Sequence, residues 1–280
     1  MTARSRRARI VAVLFAALAA WTRAVPPRPD SFDSVTQDAG TAGSFVVPRM
    51  ASAESQLAWA RELKRRRLRA SDGERAFWTV RAVAAYRAVR ELHPTHARVG
   101  AEAAFRAGRL LAASGRVSGA FAELEIARQL GGGTPFRARA GLECARLHRG
   151  AGRHEAALTA ALAVAADPSS HRDRVDEAWF VAANAWSELA RPRDARRAWA
   201  IVTEHARDAR RRVLAYDRWG MSWCEEGEWS RALDVLHRCF VDVASACVEQ
   251  SDTGARVRRA LVAMRIIDVL PPRLHALASE

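Results

Sequence analysis

The residues able to do covalent, metal or phosphate chemistry are four cysteines, eight histidines, one carboxylate pair and one run of glycines. Spacing is the first test of each. Cys144, Cys224, Cys239 and Cys247 lack the paired two-residue spacing of a zinc site. In an exported chain an even count permits disulfides, and Cys224 and Cys239 are expected to face one helix seam; the alternative is that the cysteines are small buried apolar residues. His93, His96, His148, His154, His171, His205, His237 and His275 stand at no suggestive spacing from a nucleophile and a carboxylate, and most read as solvated helix-end residues. Glu225 and Glu226 sit beside Gly227, where surface charge at a helix end explains them better than acid–base work. Gly131, Gly132 and Gly133 precede Thr134 and Pro135, the order of a helix stop, a cap and a first-turn proline rather than of a phosphate loop. Neither a nucleophile elbow nor a His-Glu-x-x-His pair occurs. The sequence therefore reads as a non-enzymatic chain with no metal and no cofactor.

Arginine is the remaining chemical resource. The chain carries 45 basic against 31 acidic residues, a net charge of +14, and Lys64 is its one lysine. A bias this complete reflects a GC-rich genome before it reflects selection for bidentate phosphate binding. Lys64, Arg65, Arg66, Arg67 and Arg69 form the densest cationic patch. On a helix they spread around more than one face, as a solvated helix end or as a polybasic contact to anionic lipid or polyphosphate.

The elements that position these groups are helical. Hydrophobic residues make up 49% of 280 positions, ample for a core, and alanine far outnumbers the β-branched residues, so the class is all-α. Residues 1–24, MTARSRRARIVAVLFAALAAWTRA, place arginines before an apolar run over residues 10–21 and small residues after it. This is the layout of an export signal, cleaved or kept as an inner-membrane anchor. The run is shorter than the roughly 20 residues of a spanning helix, which favours cleavage and an exported, periplasmic or secreted protein. Residues 25–51 are rich in Pro, Gly, Ser, Thr and Asp and read as a flexible linker, with the folded domain over 52–280.

Within that domain a repeat emerges. Ala82, Ala120, Ala157, Ala195 and Ala232 are 38, 37, 38 and 37 residues apart. Gly108 and Gly220 each stand twelve residues before their alanine, with Gly115 and Gly227 in the following turns and Leu124 and Leu236 after. Helix pairs are expected over 53–70 with 74–93, 96–113 with 116–130, 135–149 with 153–166, 172–189 with 192–206, and 208–225 with 228–246. A last helix over 253–270, stopped by Pro271 and Pro272, is expected to cap the stack. Trp179, Trp186, Trp199, Trp219 and Trp223 fall largely at packing phases and are expected in the core.

This order of large, small and turn residues resembles the tetratricopeptide repeat family, in a bacterial exported form. Trp179, Ala183, Trp186, Ala195 and Trp199 carry it in one unit, and Tyr216, Gly220, Trp223, Gly227, Ala232 and Leu236 in the next. The period of 37 to 38 exceeds the usual 34 or so. The resemblance implies a right-handed α-solenoid of about five antiparallel helix pairs with a C-terminal capping helix. It also implies that exposed positions of each first helix line a concave partner groove: Glu102, Phe105, Arg109, Arg139, Leu142, Arg146, Glu177, Phe180, Asn184, Asp217 and Met221. Arginines beside apolar groups there suit an extended peptide with an acidic or free carboxyl end. The leading expectation is thus a cell-envelope scaffold or adaptor holding a protein partner. The alternative is a cytoplasmic or membrane-surface basic protein that binds nucleic acid or anionic lipid.

Overall fold

The computed structural model describes the backbone of residues 45–249 and the side chains of residues 45–242. The expected export signal, most of the linker, the Cys247 side chain and the expected capping helix lie outside those residues. Among the described residues there are ten helices and no strand. In chain order they are α1 (Ala53–Arg69), α2 (Asp72–Leu92), α3 (Ala97–Ala113), α4 (Val117–Leu130), α5 (Pro135–Gly150), α6 (His154–Ala165), α7 (Arg172–Glu188), α8 (Pro192–His205), α9 (Ala209–Cys224) and α10 (Trp229–Glu249). The helical periodicity places every end within three residues of these bounds. The end of the linker is tied down: the buried Gln56 side chain accepts from Met50 N at 2.8 Å and donates to the Pro48 carbonyl at 3.1 Å.

The helices form five antiparallel pairs, and four of the pairs close with one turn geometry. The backbone N–H groups of Arg116, Arg153, Arg191 and Glu228 donate to the carbonyls of Leu111, His148, Trp186 and Trp223 at 2.9–3.0 Å. The residue before each donor bonds back three positions, completing a Schellman turn. Such a turn needs one residue in the left-handed region, and Gly115, Gly152 and Gly227 supply it. In the fourth pair that residue is Ala190, at φ 55°. The second helix then starts on one signal: the carbonyls of Arg116, Arg153, Arg191 and Glu228 accept from Ala120, Ala157, Ala195 and Ala232 N at 3.0–3.1 Å. These four alanines are therefore each in the first turn of a second helix and fully buried, whereas Ala82, also fully buried, lies in the middle of the longer α2.

Packing explains the glycines at mid-helix. A Cβ at Gly108 would stand 2.8 Å from Leu124 Cγ and 3.2 Å from the Ala120 carbonyl. At Gly220 it would stand 3.0 Å from Leu236 Cγ. At these points, as at Gly141, where a Cβ would stand 2.6 Å from Val164 Cγ2, paired helices approach closely and the large neighbour fills the space a side chain would take. At the interval between the second and third pairs, Thr134 caps α5 by accepting from Phe136 N at 3.3 Å, with Pro135 in the first turn.

Successive pairs stack through their first helices. Each helix packs on the next, and in addition α1 packs on α3, α3 on α5, α5 on α7 and α7 on α9. No comparable packing joins the second helices among the described residues. The layer of first helices is the more closely spaced, so its outer surface is the concave one.

The tryptophans divide differently from expectation. Trp199 is fully buried among Ala183, Ala195, Ala198 and Val202. Trp179, Trp186, Trp219 and Trp223 are only half-buried. The reason is shape: at a seam spaced by alanine there is room for one edge of an indole, and the other edge remains outside. Trp179 and Trp186 stack at 6.4 Å, and Trp223 carries Arg196 at 3.5 Å and Arg231 at 4.8 Å from its ring. Cys144 and Cys239 are buried free thiols, pushed up to about 11 and about 12 by burial, which keeps them protonated and inert. No bridge joins Cys224 to Cys239: the former packs beside Ala232 and Leu236, the latter beside Val213 and Tyr216.

Two stability measurements follow by chemical denaturation. Trp199→Ala is expected to cost about 3–5 kcal/mol, because alanine neighbours cannot collapse into the cavity. Ala190→Gly is expected to stabilise by about 0.5–1 kcal/mol, the relief of a left-handed alanine exceeding the added chain entropy of glycine.

Candidate functional site

Three consecutive first helices build one groove on the concave layer. Phe105 and Arg109 come from α3, Arg139, Leu142, Glu143 and Arg146 from α5, and Arg174 and Glu177 from α7, around a cavity of about 280 Å³. Spacings of three and four residues keep each set on one helix face, and the repeat period aligns the faces. Phe105 with Arg109 therefore stands one unit from Leu142 with Arg146.

The apolar residues are floor rather than rim. Phe105 and Leu142 are buried, Phe105 with its ring 5.8 Å from that of Phe136. The sequence placed them as exposed contacts; the close stacking of α3 and α5 covers them instead. Glu102 and Glu177, expected to be exposed, are also withdrawn. Arg61 and Arg106 both bond the Glu102 carboxylate. Arg146 and Arg174 both bond Glu177, with Arg211 at 4.0 Å. Phe180 and Met221 pack against the cores of later pairs. Neither they nor Asn184 and Asp217 line the cavity.

What lines the rim is charge. Glu143 receives Arg146 at 3.1 Å and Arg109 at 3.5 Å. Arg139 is the exception in the row. It lies between the Glu102 and Glu177 positions of the repeat, yet it makes no ion pair with a described carboxylate, and its Nε is buried without a hydrogen-bond partner. Its guanidinium instead lies 5.5 Å from the Phe136 ring. Cations crowd here: burial first, then the charges of Arg139, Arg211 and Arg146, push the Arg174 value down. Glu143, Arg174 and Arg211 escaped sequence reasoning, because transferring repeat positions from other proteins selects aligned sites and not their i+4 neighbours. Arg174 could have been found as Glu177 minus three, a helical ion-pair spacing.

The cationic patch at the end of α1 is divided among faces, as its helical spacing predicts. Lys64 is partly buried toward Arg106, Arg109 and Arg67, and burial followed by those charges lowers its value. Arg67 Nε donates to Thr79 Oγ1 at 2.7 Å, Arg65 pairs with Glu62 at 3.0 Å, and Arg66 lies 5.7 Å from the Trp78 ring. Among the described residues no group of three or more His, Cys, Asp or Glu is placed to hold a metal. No described helix is long and apolar enough to cross a membrane.

The Glu102 bridge gives a pH signature. Burial pushes its carboxyl up, but the hydrogen bonds from Arg61 and Arg106 outweigh burial and hold it below the ordinary 4.5. A depressed carboxyl contributes stability that is fully present above the unfolded value and lost as pH falls through the folded one. In denaturant titrations, wild type is expected to exceed Glu102→Gln by a constant margin above about pH 4.5, and the margin is expected to shrink below it.

No protein-family model and no curated protein matches the chain. Among solved structures it is similar to the kinesin light chain TPR-like repeats of Podosopora anserina, at 17% identity over 72% of this chain and 100% of that one, with a TM-score of 0.49. It is also similar to Pseudomonas aeruginosa PilF, at 14% identity over 81% of this chain and 97% of that one, again with a TM-score of 0.49. By its own geometry, in which helix pairs meet at Gly108 and Gly220, close in Schellman turns and stack through their first helices, the fold is a tetratricopeptide-like helical repeat.

Proposed function

We propose that this chain is a non-enzymatic protein-interaction scaffold that grips an acidic segment or free carboxyl end of a partner protein in the groove across α3, α5 and α7. Arg139 carries the reading. It is a groove-lining cation with a buried Nε and, among the described residues, no hydrogen-bond partner for that Nε and no carboxylate of its own, and such a donor is costly unless something bonds it. Four arginines against two glutamates line the cavity, so the groove is complementary to an anion, and a guanidinium takes a carboxylate bidentately. Small-molecule sites run at roughly 300–1,000 Å³, so the groove's 280 Å³ suits a few side chains of an extended peptide. The layout of residues 1–24 supports an exported partner complex in the cell envelope, periplasmic, secreted or anchored at the inner membrane.

Fluorescence anisotropy tests this with acidic peptides, free or amidated at the carboxyl end, beside matched neutral peptides. Arg139→Gln is expected to weaken acidic peptides about tenfold, the loss of one charge-assisted pair. Glu143→Gln releases Arg109 and removes one of the two carboxylates on Arg146, which stays bonded to Glu177, and is expected to tighten binding by a few fold. Equal binding of neutral peptides, or affinities unmoved in both variants, would reject this groove.

A further inference from the structure

At the tip of the first helix pair, exposed apolar side chains and cations coincide on one hairpin. Leu68, in the last turn of α1, is 63% exposed, and Phe77 and Val80, in the first turns of α2, are 43% and 47% exposed. Phe77 and Val80 are three residues apart on one face of the helix. Trp78, half-buried, meets Phe77 edge to face at 5.3 Å. Single exposed apolar residues are ordinary, but a cluster of this kind on one hairpin marks a contact surface.

Cations frame the cluster. The Arg81 guanidinium lies 3.9 Å from the Phe77 ring and 5.8 Å from the Trp78 ring, and Arg66 lies 5.7 Å from Trp78. Arg69 is exposed in the last turn of α1, where neither it nor Arg66 pairs with a described carboxylate. The local acids are already engaged: Glu62 with Arg65, Asp72 with Arg75, and Glu74 in the capping box of Ser71. Arg67 is tied to Thr79, whose hydroxyl donates to the Arg75 carbonyl at 2.6 Å, so the tip presents a fixed frame.

From this arrangement we infer that the α1–α2 tip docks on the surface of an anionic lipid bilayer. Such a surface attracts basic side chains, while an aromatic ring and an indole settle at headgroup level and aliphatic groups reach the acyl boundary. The composition excludes a second copy of the tip, which repels itself. Nucleic acid fits worse. Binding of single strands relies on open ring faces for base stacking, and Arg81 covers Phe77 here, while Leu68 and Val80 offer neither a flat face nor a hydrogen bond. The surface is separate from the peptide groove, since none of its residues lines that cavity.

The test is vesicle flotation of the full chain in moderate salt, with neutral phosphatidylcholine vesicles and with vesicles containing phosphatidylglycerol. Two variants alter exposed residues only: Phe77→Ser with Val80→Ser, and Arg66→Gln with Arg69→Gln. Every variant keeps residues 1–24, so differences report the tip, and thermal melts verify the fold. Wild type is expected to partition onto anionic vesicles about tenfold more than onto neutral ones. Each double variant is expected to lose about fivefold, the charge variant also with a shallower salt dependence. Amide exchange over residues 65–81 is expected to slow on anionic vesicles. Flotation unchanged in both variants, or protection absent from that segment, would overturn the inference. Binding to a short single-stranded DNA that falls in both variants while flotation does not would replace lipid with nucleic acid.

Discussion

The whole molecule depends on how closely two helix backbones can approach within a pair. Leu124 lies over Gly108 and Leu236 over Gly220, so a Cβ would collide with the leucine at Gly108 and crowd it at Gly220. The fully buried Ala120, Ala157, Ala195 and Ala232 keep the facing helices equally thin at that level. With the seam narrow, the Schellman turn can close in a few residues, and the next pair can repeat the geometry. Close seams raise the number of dispersion contacts per buried atom, which is how a chain poor in large aliphatic residues builds a dense core.

Stacking then converts a one-dimensional repeat into a surface. Because the first helices pack on one another at every second step, side chains a repeat period apart fall into rows across α3, α5 and α7. One row reads Glu102, Arg139, Glu177. Its two acids are held by arginines, while the cation between them pairs with no acid among the described residues. The groove's character follows from that vacancy in the pairing pattern more than from the number of charges.

The charge imbalance of the chain has a local form. With 45 basic and 31 acidic residues, carboxylates are shared: Glu123 holds Arg87 at 2.6 Å and Arg90 at 2.7 Å, Glu102 two arginines, and Glu177 three. Buried or half-buried carboxylates of this kind act as nodes between helices, and removing one strands several cations at once. An indole ring takes part as well: Arg196 lies against Trp223 while bonding Ser222 Oγ at 2.6 Å and pairing with Glu226.

Helix positions, the repeat period and the packing role of Ala120 or Gly108 were legible from residue order, because periodicity and turn chemistry are local properties that each segment carries by itself. The cap at Thr134 and the turn at Gly115 were legible for the same reason. Exposure was not. Phe105 and Leu142 look like groove contacts in the repeat register, and only the packing of α3 on α5 puts them beneath the surface. Likewise the half-burial of Trp186, the sharing of Glu177 among Arg146, Arg174 and Arg211, and the isolation of Arg139 depend on residues from neighbouring units. Those distances are set by how the pairs stack, a tertiary quantity that no single stretch of sequence contains.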